Sequence, residues 1–116
     1  MEVVELVKKL YEVEKDLNAL RSKVFKIKEE MIRIEVNTFS MVLVKYSNQK
    51  LTKDVKDNLV NAELLANNEY QELKSKHHSL LKEIEDLEAY KRYLERVYNL
   101  LQANVISPEV VKDVEL

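Results

Sequence analysis

Two stretches of this chain repeat apolar residues with gaps that alternate strictly between three and four, and few folds accommodate such a pattern. In the first third the positions are Val3, Leu6, Leu10, Val13, Leu17, Leu20, Val24, Ile27, Met31 and Ile34. From residue 70 onward the same spacing runs through Tyr70, Leu73, His77, Leu80, Ile84, Leu87, Lys91, Leu94, Tyr98, Leu101 and Val105, apolar except at His77 and Lys91. A mean spacing of 3.5 residues keeps one stripe facing a neighbour only if two helices wind around each other with a left-handed sense. The two seams are nearly equal in length, which suits an antiparallel hairpin. The pattern therefore predicts an all-α fold: two long antiparallel heptad helices with a short helix between them, a coiled-coil-like bundle. Helix 1 is expected over about residues 2–44, roughly 60 Å at 1.5 Å per residue.

The middle of the chain is punctuated. From Ile32 onward Val36, Phe39, Val42 and Leu43 add apolar side chains on faces that the first seam does not use, so this stretch needs more than one neighbour. Ser47-Asn48-Gln49-Lys50 breaks the pattern, and Thr52 followed by Lys53-Asp54 reads as a helix start with an acid in its first turn. Helix 2 is expected over about 53–66, with a stripe at Val55, Leu59, Ala62 and Ala66 that Val60, Leu64 and Leu65 widen. It is expected to cover the turn end, where helix 1 is broadly apolar. Asn67-Asn68 has low helix propensity and reads as a break, a kink or an exposed turn. Helix 3 is expected over about 69–106. Ser107-Pro108-Glu109 then reads as N-cap, first helical residue and first-turn acid of a short C-terminal helix over about 108–115. At 116 residues the chain is expected to form a single domain, 1–116.

Composition narrows function more than it narrows fold. The chain has no Gly and one Pro, so phosphate-cradling loops and tight hairpin turns have almost no material. It has no Cys, hence no disulfide framework, thiol nucleophile or thiolate zinc site. A formal charge of −2 gives no whole-surface attraction to nucleic acid. The N-terminal MEVVELVKKLYEVEKD carries acids among its first residues and lacks an unbroken apolar core, so it does not read as a signal peptide. The most apolar run, Phe39 to Val44, is far too short to span a bilayer. The expectation is a cytoplasmic protein that is not a membrane protein. Leu81, Tyr90 and Val97 flank the second seam and Val7, Tyr11 and Phe25 the first, too broad a face for two helices to hide alone, so a homo-oligomer of two or more chains is expected.

Catalytic, metal and cofactor chemistry finds little footing. His77 and His78 are adjacent, so on a helix they diverge by about a quarter turn. The residues four away from them are Leu73, Leu81, Lys74 and Lys82, none of which completes a site. No Glu-x-x-His pair occurs. Glu29–Arg33, Glu72–Lys76 and Glu88–Arg92 have the spacing of surface pairs worth about 0.2–0.5 kcal/mol each. The acidic run Glu83, Glu85, Asp86 and Glu88 reads as a solvated face. The reading is therefore no enzyme, no metal and no cofactor. Two basic clusters are candidates for phosphate contact: Arg21, Lys23, Lys26 and Lys28, and Lys45, Lys50, Lys53 and Lys56 around the junction of helices 1 and 2. Lys91 and His77 are polar residues at seam positions, a device that sets register or oligomeric state at some cost in stability.

Two resemblances add expectations. The stretch LTKDVKDNLVNAELLANNEYQELKSK from Leu51, continued by LLKEIEDLEAYKRYLERVYNLL, resembles a group of small helical proteins encoded by tailed bacteriophages and prophages. That group shares a Leu-Thr start, a small-residue helix, a junction carried here by Asn68, Glu69, Tyr70, Gln71, Leu73 and Lys74, and a long Leu/Glu-rich final helix. It has no established activity, and it implies a phage or host-interaction role. MVLVKYSNQKLTKDVKD is similar to the strand leading into the second helix of prefoldin subunits, which implies a holdase chaperone with exposed apolar tips. Prefoldin hairpins use turn residues, usually Gly, and have arms of equal length, and this chain departs from both. Three functions are thus in view: a non-enzymatic interaction or structural protein acting by protein–protein binding, an accessory factor binding DNA or RNA through the basic clusters, and a prefoldin-like holdase.

Overall fold

The computed structural model describes residues 2–103. It contains three helices, α1 (Val3–Lys45), α2 (Lys53–Ala66) and α3 (Asn68–Gln102), and no strand among the described residues. The helices take up 90% of that length, and the two long ones run antiparallel. The expected C-terminal helix around Pro108, and the last seam position Val105, lie outside the described residues. The run Phe39 to Val44, which carries an aromatic residue and the β-branched Val42 and Val44, is helical. The same segment that is similar to the prefoldin strand, residues 41–57, is the end of α1, a turn and the start of α2.

Each boundary has a local cause. After Lys45 the backbone tightens: Tyr46 N–H still reaches Val42 O at 3.1 Å, whereas Ser47 N–H bonds Val44 O at 3.3 Å and Gln49 N–H bonds Tyr46 O at 3.0 Å. Ser, Asn and Gln in a row offer competing hydrogen bonds and end the helix. Thr52, in an extended conformation, caps α2 by accepting a hydrogen bond from Val55 N–H at 3.3 Å. The open alternatives at Asn67-Asn68 resolve to a break one residue wide. Asn67 is extended (φ −87, ψ 108), its N–H donates to Leu64 O, and its Oδ1 accepts from Tyr70 N–H at 2.9 Å. One asparagine thus closes α2 and caps α3. Gln71 Nε2 donates to the same Leu64 O at 2.9 Å, so this carbonyl accepts twice and ties the first turn of α3 to the end of α2.

Contacts within the chain cluster into two compact units, each drawing on both long helices. Among the described residues the first takes 2–22 and 82–103. Its core is Leu6, Val13 and Leu17 of α1 with Ile84, Leu94, Val97 and Leu101 of α3. Val97, expected outside the seam, is buried, while the seam residue Tyr98 is half-buried. The face that closes here follows Leu94, Val97 and Leu101, an i, i+3, i+7 line.

The second unit, Lys23–Leu81, has a core to which all three helices contribute: Ile34, Leu64 and Leu73, with Ile27, Met31, Val60 and Tyr70 packed against it. Burying a side chain such as Leu or Ile contributes about 1.5–3 kcal/mol. The α2 stripe differs from the one read in sequence. Val55, Ala62 and Ala66 are exposed, and the inward face is Leu59, Val60, Glu63 and Leu64. Two alanines remove little apolar area from water, so the helix turns its larger side chains inward instead. Nor does α2 cover the broad face of α1: Val42 is buried, but Ile32, Val36, Phe39 and Leu43 stay exposed.

Candidate functional site

Lys91 is satisfied within the chain. Its Nζ donates to Glu14 Oε2 at 2.6 Å, from α3 to α1 inside the first unit, and the Lys91 side chain remains 32% exposed. Arg21, two turns further along α1, approaches Glu14 Oε1 at 3.6 Å and donates to Asn18 Oδ1 at 3.4 Å. The hydrogen bond from Lys91, helped by the charges of Lys91 and Arg21 and opposed by desolvation, holds the Glu14 carboxyl below its ordinary value. The same bond, against some desolvation, raises the Lys91 ammonium above its own. The seam charge is thus met by a carboxylate of the facing helix within the same chain. His77, the other polar seam residue, is half-buried and His78 is exposed.

The basic residues do not gather into one patch. Arg21 belongs to the first unit and is tied to Glu14. On the α1 segment of the second unit Lys23, Lys26 and Lys28 are exposed, but about 100° per residue places Lys28 well over a third of a turn around the axis from the other two. In the second cluster Lys45 Nζ lies 3.8 Å from Glu63 Oε1 and 5.7 Å from the centroid of the Tyr46 ring. Lys50 and Lys53 are exposed and Lys56 is half-buried, with Asp54 and Asp57 in the same turn. The pairs Glu29–Arg33, Glu72–Lys76 and Glu88–Arg92 are not among the ion pairs formed within 4 Å by the described residues. Those ion pairs join residues seven or more apart in sequence.

The second unit also carries an open groove of about 480 Å³, lined among others by Asn37, Thr38, Glu63, Asn67 and Glu69. Thr38 is buried and occupies the seam step after Ile34. Lys45 already engages Glu63. Beside the groove, burial and then the neighbouring Glu35 carboxylate push the Tyr70 phenol above its ordinary value. Among the described residues no group of three or more His, Asp or Glu side chains comes together to hold a metal ion, and no helix is long and apolar enough to cross a membrane.

The feature that sequence reasoning registered without identifying is on α1 of the second unit. Phe25, Ile32, Val36, Phe39 and Leu43 are all exposed. Their gaps of seven, four, three and four place them in a second heptad frame, with Phe25, Ile32 and Phe39 at one core position and Val36 and Leu43 at the other. About 100° per residue brings all five within roughly 60° of arc, on the side of the helix away from Ile27, Met31 and Ile34. The spacing was present in the sequence. It was hidden because residues added to a first seam read as a widened face until burial separates the two. Compared with protein-family models, curated proteins and solved structures, the chain finds no match.

Proposed function

We propose that this protein works as a non-enzymatic helical interaction module that binds another protein through the exposed face of α1. The observation that carries the reading is the heptad row Phe25, Ile32, Val36, Phe39 and Leu43, each at least 40% exposed, on a helix whose opposite side is committed to its own core. Large apolar side chains in a continuous row mark an interaction site on a water-facing helix, because each loses favourable burial while it stays in solvent. The nucleic-acid reading has less support, since the lysines are divided around α1 and partly engaged by acids.

The test is a photo-crosslinking amino acid placed at Val36 and, as a control, at the exposed Glu85 on α3. A discrete protein adduct is expected from position 36, absent from position 85 and lost when Phe39→Glu is added. Absence of any protein adduct from position 36 would overturn the reading. So would duplex DNA binding that falls steeply with salt and disappears in Lys23→Glu/Lys26→Glu, which would hand the function to the basic residues.

A further inference from the structure

We infer that the second heptad row on α1 is the seam through which two copies of this chain pair, antiparallel and with twofold symmetry. The inference rests on the reading of this face as an interaction surface and adds the identity of its occupant. The periodicity specifies a helix as that occupant: a 3.5-residue repeat stays in register only with another helix that supercoils with it. A loop or sheet edge would be served equally well by an irregular patch. In the frame that places Phe25, Ile32, Phe39 and Tyr46 at d, the a positions are Glu29, Val36 and Leu43. Glu29 is the one charged residue within the row.

Area points to a second copy. With Phe25 62%, Val36 57% and Phe39 42% exposed, the row presents on the order of 450 Å² of apolar surface. Pairing the face with itself doubles that, and with the stems of Lys28 and Arg33 the total reaches about 1,000–1,200 Å², where specific interfaces begin. Orientation follows from charge. A parallel pair would set Glu29 against the partner's Glu29 at an a position and Lys28 beside the partner's Arg33 across the flank. An antiparallel pair keeps the two Glu29 apart and moves the like-charge contacts to the open flanks, Arg33 beside the partner's Arg33 and Glu35 beside the partner's Glu35, where long side chains in water lose less than facing carboxylates in the seam. It centres on Ile32 against the partner's Val36, sets Phe25 against the partner's Leu43, and places Glu29 at the partner's Phe39, next to the hydroxyl of the partner's Ser40. The patch is then isologous, the form that closes a dimer without leading to fibres.

Sedimentation equilibrium of the full chain at about 5–200 µM tests the pairing. The expected mass is twice that of the 13.7 kDa chain. Phe39→Glu and Ile32→Glu, both at exposed positions, are each expected to return the single-chain mass with an unchanged helical circular dichroism spectrum. With no native Cys, orientation can be read by disulfide trapping. Ile32→Cys mixed with Val36→Cys is expected to cross-link, while each alone does not. A single-chain mass throughout, or a double mass that survives both Glu variants, would overturn the inference. Cross-linking of Ile32→Cys alone would overturn the antiparallel arrangement. If the chain is monomeric while position 36 still captures another protein, self-pairing fails and the interaction module stands.

Discussion

Lys91 is the residue whose sequence position and structural role differ most instructively. The heptad frame makes it an anomaly among Ile84, Leu87, Leu94 and Tyr98, but frame alone cannot show what meets its ammonium. That depends on the register between α1 and α3, a relation that neither helix encodes separately. The answer, Glu14, sits one residue beyond Val13 at the border of the other seam, where a long side chain can lean across while its stem stays on apolar surface. A pH dependence follows from the two shifts. Because the folded-state carboxyl of Glu14 is depressed, its contribution is present above its ordinary 4.5 and is lost as acid titrates through the lowered value. Because the folded-state ammonium of Lys91 is raised, its contribution is present below its ordinary 10.5 and is lost as alkali titrates through the raised value. Urea denaturation of the protein and of Glu14→Gln is expected to show a stability difference that is flat from about pH 5 to 10. The difference should shrink below that window and above it, and narrow in 1 M salt. A difference that is the same at pH 2.5 and pH 7 would remove the ion pair as its cause.

At the scale of elements, boundaries were more legible than faces. Ser47 to Lys50, Thr52 and Asn67-Asn68 mark the ends because capping and turn chemistry act within a few residues, and the observed ends of α1 and α2 fall within a residue of the expected ones. Faces depend on what the rest of the chain offers to cover. The choice in α2 between Ala62 and Ala66 on one side and Val60 and Leu64 on the other is settled by packing against Ile34 and Leu73, which no local window contains. For the same reason Val97 could not be told from its neighbour Tyr98 as the buried member of α3. Asn67 is the element-scale site most open to test, since one side chain serves the junction of two helices. Asn67→Ala deletes the acceptor for Tyr70 N–H and is expected to lower stability by about 1 kcal/mol, read as a shift in the urea midpoint. Asn67→Asp keeps the acceptor and adds a negative charge at the start of α3, so it is expected to match or exceed the parent. Equal losses in both variants would mean that the carboxamide donors, not the cap, hold the junction.

For the whole molecule, the all-helical character was readable because two long seams and the absence of glycine leave little else to build. Division into two compact units was not, since heptads repeat alike along a helix and carry no sign of where contacts cluster. Nor does a heptad declare whether its partner lies in the same chain. That distinction came from exposure: the first seam is buried or half-buried along most of α1, and the second row is open to solvent. Its thermodynamic signature lies in the concentration dependence of melting. If two copies pair through the row and the unfolded chain does not, unfolding is linked to dissociation, and mass action raises the melting temperature as chain concentration rises. A tenfold increase is worth about 1.4 kcal/mol per dimer. Against the unfolding entropy of two chains of roughly a hundred ordered residues, that amounts to ~3 °C per decade. Calorimetry across two decades of concentration is therefore expected to move the parent protein by ~6 °C and to leave Phe39→Glu where it is. A parent melting temperature independent of concentration would show that the row is not closed by a second copy in the state that melts, and that burial of Phe25, Ile32, Val36, Phe39 and Leu43 must come from a different chain.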